Sequence, residues 1–150
     1  MKTTRIAMLL GSAALIGAAV AASSPAPKAV ASPTASSRVG NFLLVDQTLQ
    51  AHELYRLGDA PAVVLITEQN GDSALRALAP QVNKLAADYG AKGVEFRMLN
   101  SSLKDSMEAI RAEVAKAGYA MPVLMDDKQI IGEELGVSRS AEAIVINPKT

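Results

Sequence analysis

The chain has 150 residues, enough for one domain, and 49% of them are hydrophobic although only 3% are aromatic. Its 15 basic residues balance its 15 acidic residues, so there is no electrostatic case for nucleic acid, whose binding proteins usually carry a basic face. The absence of cysteine excludes disulfides, thiolate catalysis and cysteine–zinc sites within these residues.

The first 22 residues have the order of a secretory signal peptide. Lys2 and Arg5 precede an apolar, alanine-rich run over 6–22 that ends in small residues suited to signal peptidase. The alternative is an uncleaved anchor helix, because the run approaches the ~17–25 residues that span a bilayer. Residues 23–38 are rich in Ser, Pro and Ala and predict a flexible tether. We therefore expect an exported protein, periplasmic or secreted, that touches a membrane only if the signal segment is retained.

Residues 39–150 alternate strand and helix patterns. A helical turn is predicted at 51–57, and the strands are predicted at 41–46, 63–67, 94–99, 121–125 and 143–146. The run Val63–Thr67 is continuously apolar, as in a strand that is buried on both faces. This alternation predicts a largely parallel sheet with helices on its faces.

Three helices are predicted between these strands. The first has an apolar stripe from Leu75 to Tyr89, with Asp72 or Ser73 as its cap and Pro80 as the site of a kink. The second carries a stripe from 103 to 117 and begins near Ser102, and the third covers 129–135.

The sequence stops directly after its last predicted strand. Nothing follows 143–146 that could pair with that strand or cover it, and an unprotected edge strand is a liability. We therefore expect the reading frame to continue beyond Thr150.

Several short motifs occur in a family-like order and at family-like distances. They are Phe42-x-Leu44-x-Asp46 with His52-x-Leu54, Val63–Thr67 with Asn70-Gly71, Pro80 eight residues after Asp72, Gly93-Val94-x-Phe96, Pro122-Val123-Leu124-x-Asp126, and Gly136-Val137-x-Arg139-Ser140. Over Val39–Asn147 the chain resembles the redoxin branch of the thioredoxin-like superfamily, which includes the thiol-specific antioxidant and alkyl hydroperoxide reductase proteins. The resemblance implies a three-layer α/β/α sandwich with a mostly parallel central sheet, here incomplete at its C-terminus.

The departures from the family pattern concern the redox centre. The resemblance places the reactive cysteine at Asp72, after Asn70 and Gly71, and the second cysteine of a C-x-x-C pair at Leu75. It places the active-site proline near Ala141. A carboxylate and an alkane cannot pass through a sulfenic acid or a mixed disulfide. These positions are therefore interpreted as a degenerate active site, without a cofactor or a metal.

Two charged residues near the junction after the second strand have alternative interpretations. Asp72 is either a helix cap, worth ~0.5–2 kcal/mol, or a carboxylate that binds a cation or a basic group of a partner. The resemblance assigns Arg139 to a position where an arginine keeps the reactive cysteine as a thiolate. Here Arg139 either forms an ion pair with Asp72 or is an exposed loop residue.

Other candidate sites have simpler structural explanations. Ser73 is a nucleophile only with a base nearby, and His52, the sole histidine, has no evident carboxylate to orient it. His52 also lacks companion ligands for a copper or zinc site. The pairs Asp126-Asp127 and Glu133-Glu134 suggest a hard-cation site, but turn chemistry and a solvated helix face explain them more simply.

Three functions remain for the sequence. The first is a redox-inactive binding or structural module whose partner is another protein or a downstream domain. The second is a thiol–disulfide or peroxide oxidoreductase whose redox centre lies in missing residues or in a partner. The third is a non-thiol enzyme that uses Asp72, Arg139 and His52.

Overall fold

The computed structural model describes residues 38–149. The predicted signal peptide, residues 1–22, and almost all of the predicted tether lie outside the described residues. No helix between residues 38 and 149 is long and apolar enough to cross a membrane.

The described chain forms six strands, three α-helices and one 3₁₀ turn. In order they are β1 (Leu43–Asp46), β2 (Ala51–Glu53), the 3₁₀ turn (Leu54–Leu57), β3 (Val63–Glu68), α1 (Ser73–Gly90), β4 (Glu95–Asn100), α2 (Met107–Ala117), β5 (Val123–Met125), α3 (Ile130–Glu134) and β6 (Ala143–Ile146). The predicted alternation of strands and helices is confirmed. The helical turn predicted at 51–57 is wrong in its first half, because that segment pairs antiparallel with β1 as β2.

The strand order in the sheet is β2-β1-β5-β4-β3-β6. Only the central pairs, β3 with β4 and β4 with β5, are parallel, and the outer strands join antiparallel. The predicted α/β class is therefore confirmed, but the sheet is more mixed than the alternation indicated. Antiparallel pairing at the margins needs only short connections, whereas each central parallel pair needs a helical crossover.

Helices cover both faces of the sheet and make three layers. The strand β3 supplies both cores, because Leu65 packs towards α3 while Ile66 packs towards α1 and α2. Val63 and Leu65 are buried on one face and Ile66 on the other, which confirms the prediction of a strand buried on both faces. The same alternation directs Glu68, two residues after Ile66, to the face that α1 and α2 cover.

The start of α2 differs from the prediction. Ser106, and not Ser102, is its N-cap and accepts the backbone N–H of Ala109. The segment 101–105 therefore remains a loop, and Leu103 is exposed instead of belonging to the apolar stripe. This loop leaves the Asp105 side chain free to contact the end of β3.

Candidate functional site

The junction between β3 and α1 is organised by Asp72. Its Oδ1 accepts the backbone N–H groups of Ala74 at 2.8 Å and Leu75 at 3.1 Å, so Asp72 is the N-cap of α1. The backbone N–H of Leu75 lowers the pKa of the Asp72 carboxyl group. The predicted capping role is confirmed, and the cap holds a carboxylate at the first turn of the helix.

The neighbours of Asp72 complete a tight turn. Gly71 has a φ of +87°, a left-handed conformation that favours glycine, and it reverses the chain between β3 and α1. Leu75 is 1% exposed and lies in the core beneath α1. An apolar core residue therefore occupies the position assigned to a second cysteine.

An acidic network lies directly below this turn. The Nδ2 group of Asn100 donates to Glu68 Oε2 at 2.8 Å and to Asp105 Oδ2 at 3.0 Å. The backbone N–H of Asn70 donates to the same oxygen of Asp105, also at 3.0 Å. A single amide group therefore bridges two carboxylates at the carboxyl ends of β3 and β4.

Glu68 is the most perturbed acid of this network. Its side chain is almost fully buried, and burial raises the pKa of the Glu68 carboxyl group to about 7. The carboxylates of Asp105, Glu113 and Asp72 add to this increase by repulsion. The sequence did not single out Glu68, and the only signal was its position one residue after a strand predicted to be buried on both faces.

An ion pair joins the two helices above the network. Arg76 on α1 donates from Nε and Nη2 to Glu113 Oε1 at 3.0 and 2.8 Å, and from Nη2 to Oε2 at 2.8 Å. Glu113 is buried although Glu113 and Lys116 have the spacing of an exposed pair along a helix. Burial, with Glu68 and Glu113 nearby, also raises the pKa of Tyr119 to about 12.

An open cleft of about 440 Å³ lies at the strand ends, and Glu68 is among its lining residues. Four segments contribute to it, and their polar residues include Ser101, Lys104, Gln129, Arg139 and Ser140. The cleft is therefore suited to a polar ligand.

Of the two alternatives for Arg139, the structure has the exposed loop residue and not an ion pair with Asp72. Its Nε lies 3.3 Å from Glu142 Oε1, and 63% of its side chain is exposed. The loop is instead fixed by its backbone, since the Arg139 carbonyl accepts the hydroxyl of Thr67 at 2.8 Å. Ala141, the position assigned to the active-site proline, donates its N–H to the Thr67 carbonyl and has a φ of +62°.

His52 does have a carboxylate partner, contrary to the sequence interpretation. Its Nε2 lies 2.8 Å from Asp46 Oδ2, and Arg97 Nε donates to its Nδ1 at 3.3 Å. Because Nδ1 accepts that bond, the proton of the neutral ring lies on Nε2 and is donated to Asp46. His52 lines a separate, small pocket with Arg97, whereas Arg139 lines the cleft.

The acidic pairs near α3 have structural contacts. Asp126 is buried, and its Oδ2 accepts the hydroxyl of Ser101 and the N–H of Gly132, both at 2.8 Å. Glu134 accepts the N–H of Gly40. In the part of the chain that the structure describes, no group of three or more His, Asp or Glu side chains is arranged to hold a metal ion. The hard-cation site suggested for these pairs is therefore not formed there.

Comparison with known proteins identifies similar folds. No protein-family model and no curated protein matches the chain. Among solved structures, a hypothetical protein from Sinorhizobium meliloti is 24% identical, with a TM-score of 0.69 over 79% of this chain and 67% of that one. The thioredoxin domain of a thiol-disulfide oxidoreductase from Bacteroides vulgatus is 15% identical, with a TM-score of 0.65 over 75% and 81%. Peroxidoxin BcpB from Mycobacterium tuberculosis is 19% identical, with a TM-score of 0.63 over 75% and 78%.

These similarities concern the fold. Sequence identities of 24% or less accompany TM-scores well above those of unrelated folds. The thioredoxin-like fold predicted from the motifs is therefore confirmed, and the chemistry of the site has to be argued from its own residues.

Proposed function

Starting from the thioredoxin-like fold of this chain, we propose that it is an exported, redox-inactive binding module. One observation carries this proposal: Asp72, at the position that the family resemblance assigns to the reactive cysteine, caps α1, and these 150 residues contain no cysteine. A carboxylate at a helix N-terminus is stabilised by the backbone N–H groups and the helix dipole. We therefore interpret the site as a redox-type junction in which Asp72, a structural helix cap, stands at the position of the nucleophile.

The chemistry of the residues supports redox inactivity. Peroxide reduction and disulfide exchange both need a thiolate, because only sulfur forms the sulfenic acid or mixed disulfide intermediate. Leu75 is buried in the core and has no reactive group. The alternative function is that of an oxidoreductase whose redox centre is supplied by residues beyond this sequence or by a partner. In that case this domain would only support the redox centre.

The cleft supports a binding role. Its lining combines serine hydroxyl groups with the charged side chains of Lys104, Arg139 and Glu133. We propose a polar segment of another protein, or of a downstream domain, as its ligand. The proposed export rests on the signal-like order of residues 1–22.

Turnover assays on the purified chain test redox inactivity. The chain is mixed with hydrogen peroxide, or with an oxidised disulfide protein and dithiothreitol, and a cysteine-containing thioredoxin serves as the positive control. We expect rates equal to those of buffer in both assays. Turnover by the isolated chain above the buffer rate would overturn the proposal.

A further inference from the structure

The helix α1 leaves three large apolar side chains in contact with solvent. Leu78, Leu85 and Tyr89 are each between 45% and 47% exposed. Together with Ala74, which is also exposed, they recur at spacings of four, seven and four residues, so they lie along one side of the helix. We call this row of side chains the α1 ridge; it runs for about 22 Å at 1.5 Å per residue.

The other sides of α1 are occupied by contacts within the domain. Leu75 and Ala79 are buried in the core beneath the helix. Arg76 forms the ion pair with α2, and the side-chain amide of Asn83 donates to the carbonyl of Gly118, just after α2, at 2.7 Å. Arg76 and Asn83 lie on nearly the opposite side of the helix axis from the α1 ridge. The ridge therefore faces away from α2 and takes no part in the packing of the two helices.

The sheet on that side of α1 is also uncovered. The strand β6 is the edge strand next to β3. Val145 of β6 is in register with Val64, which packs with the core that α1 covers, so Val145 points to the same face of the sheet. Val145 is nevertheless exposed. The α1 ridge and Val145 thus leave apolar surface on one side of the domain, and clustered apolar surface marks an interaction site more often than scattered residues do.

We propose that the α1 ridge is the contact between two copies of this chain, whose α1 helices pack antiparallel about a twofold axis at the middle of the helix. The spacing of the ridge is the same from either end. Leu78 of each copy therefore lies opposite Leu85 of the other, and the small Ala74 lies opposite the large Tyr89. Contacts of this kind are reciprocal, as a twofold interface requires. The pairing lies beyond the proposed function and does not depend on redox inactivity.

The charges of the chain favour this pairing. The formal net charge is zero at pH 7, so two copies do not repel each other as whole molecules. Asp72 lies at the N-terminal end of α1, and Lys92, whose Nζ is 4.6 Å from the centre of the Tyr89 ring, lies just beyond the C-terminal end. Antiparallel packing brings the acidic end of each helix beside the basic end of the other, and it also sets opposite ends of the two helix dipoles side by side.

The size of the α1 ridge determines the expected strength of the dimer. A standard protein–protein interface buries about 800 Å² on each partner, and one side of a single helix offers less. Complexes with smaller interfaces are weak and transient. We therefore expect a dimer that forms at high micromolar concentration and dissociates on dilution.

Sedimentation equilibrium of the full chain at pH 7, from micromolar to millimolar concentration, tests the pairing. We expect the average mass to rise from that of one chain towards that of two. Leu85→Glu should weaken the association about tenfold or more, because it places a charge in the apolar contact. The matched control is Leu49→Glu, which changes an exposed leucine in the turn between β1 and β2 and should associate as the wild type does.

An exchange of charges tests the antiparallel register. Leu78→Glu and Leu85→Lys should each weaken self-association. A mixture of the two variants should form a heterodimer, because the introduced carboxylate then faces the introduced ammonium group across the interface. Thermal melting by circular dichroism shows whether each variant is folded.

The absence of cysteine from the sequence allows a test that leaves the apolar contacts intact. Gln81→Cys places one thiol close to the twofold axis, so copper-catalysed oxidation by air should join two chains by a disulfide. Ala87→Cys, on the opposite side of α1, should remain unlinked under the same conditions. A wild-type chain that stays monomeric at all concentrations would refute the proposal. So would association that Leu85→Glu leaves unchanged, which would then involve another segment such as residues 1–37, or equal linking of the two cysteine variants.

Discussion

Glu68 shows how one buried residue sets the electrostatics of the whole junction. It extends an apolar strand by one position, and its carboxyl group lies among three other carboxylates beneath α1. A carboxyl group in such a place favours its neutral form, because burial and like charges both oppose ionisation. The sequence pattern predicted the strand, but the burial of Glu68 depends on helices that follow it in the chain.

Replacing Glu68 with glutamine should stabilise the chain at alkaline pH. The pKa of Glu68 is about 7 in the fold against 4.5 for a solvent-exposed glutamate, so the folded state binds more protons between these values. Stability is therefore lost as pH rises from about 4.5 to about 7 and then stays low, a difference of ~3 kcal/mol. Glu68→Gln should be about neutral at pH 4 and stabilising by up to this amount at pH 8.

Urea unfolding at both pH values measures this effect. Glu133→Gln, at an exposed position, is the control. An equal effect of Glu68→Gln at pH 4 and pH 8 would contradict the raised pKa of Glu68.

The capping role of Asp72 makes a second prediction at the scale of one residue. Asp72→Ala removes both bonds to the first turn of α1 and should destabilise the chain by ~1 kcal/mol at neutral pH. Asp72→Asn keeps an oxygen acceptor and should cost less. Because the pKa of Asp72 is lowered from 3.8, the charged cap stabilises the fold above that pH and is lost on acidification. Urea unfolding at pH 7 checks the order of the two variants, and equal stability of Asp72→Ala and the wild type would exclude a working cap.

Among the secondary-structure elements, the contact of α1 with α2 could not be predicted from the sequence. Glu108–Arg111 and Glu113–Lys116 fit pairs along the outer side of α2, but Glu113 instead turns inward to Arg76, 37 residues away. Helical periodicity cannot distinguish a buried charge from a solvated one when its partner lies on another helix. The start of α2 was misassigned for a related reason, because Asp105 accepts hydrogen bonds from Asn70, in the turn after β3, and from Asn100, at the end of β4, instead of capping a helix.

Breaking the Arg76–Glu113 pair should be far more damaging than breaking an exposed pair. Arg76→Met leaves the Glu113 carboxylate buried without its bidentate partner, and a loss of ~3 kcal/mol is expected, somewhat reduced because a quarter of Arg76 is exposed. Lys84→Met breaks the exposed Lys84–Asp88 pair on the same helix and should cost no more than ~0.5 kcal/mol. Equal losses of unfolding free energy in the two variants would contradict the structural role of the interhelical pair.

At the scale of the whole molecule, most of the fold was predictable because its signals are local. The strand β3, the helix α1 and the last strand at 143–146 all appear where the patterns indicated, although Leu78, Leu85 and Tyr89 of the predicted α1 stripe are exposed. The mixed sheet and the pairing of His52 with Asp46 depend on which strands become neighbours, which periodicity does not encode. The sequence could not decide between the two alternatives for Arg139, because its loop is fixed by backbone bonds, here to Thr67.

The central proposal is that the junction of β3 with α1 is a redox-type junction in which Asp72 occupies the position that the family resemblance assigns to the cysteine. Restoring sulfur by Asp72→Cys tests the claim most directly, because a thiol at the N-terminus of α1 is exposed to free N–H groups, the helix dipole and the nearby Arg76. Ala87→Cys, in the last turn of the same helix, is the matched control. Ultraviolet titration of the thiolate measures both thiols. We predict a pKa for Cys at position 72 below the ~8.5 of a free cysteine and below that of the control; equal, unshifted values at both positions would contradict the claim.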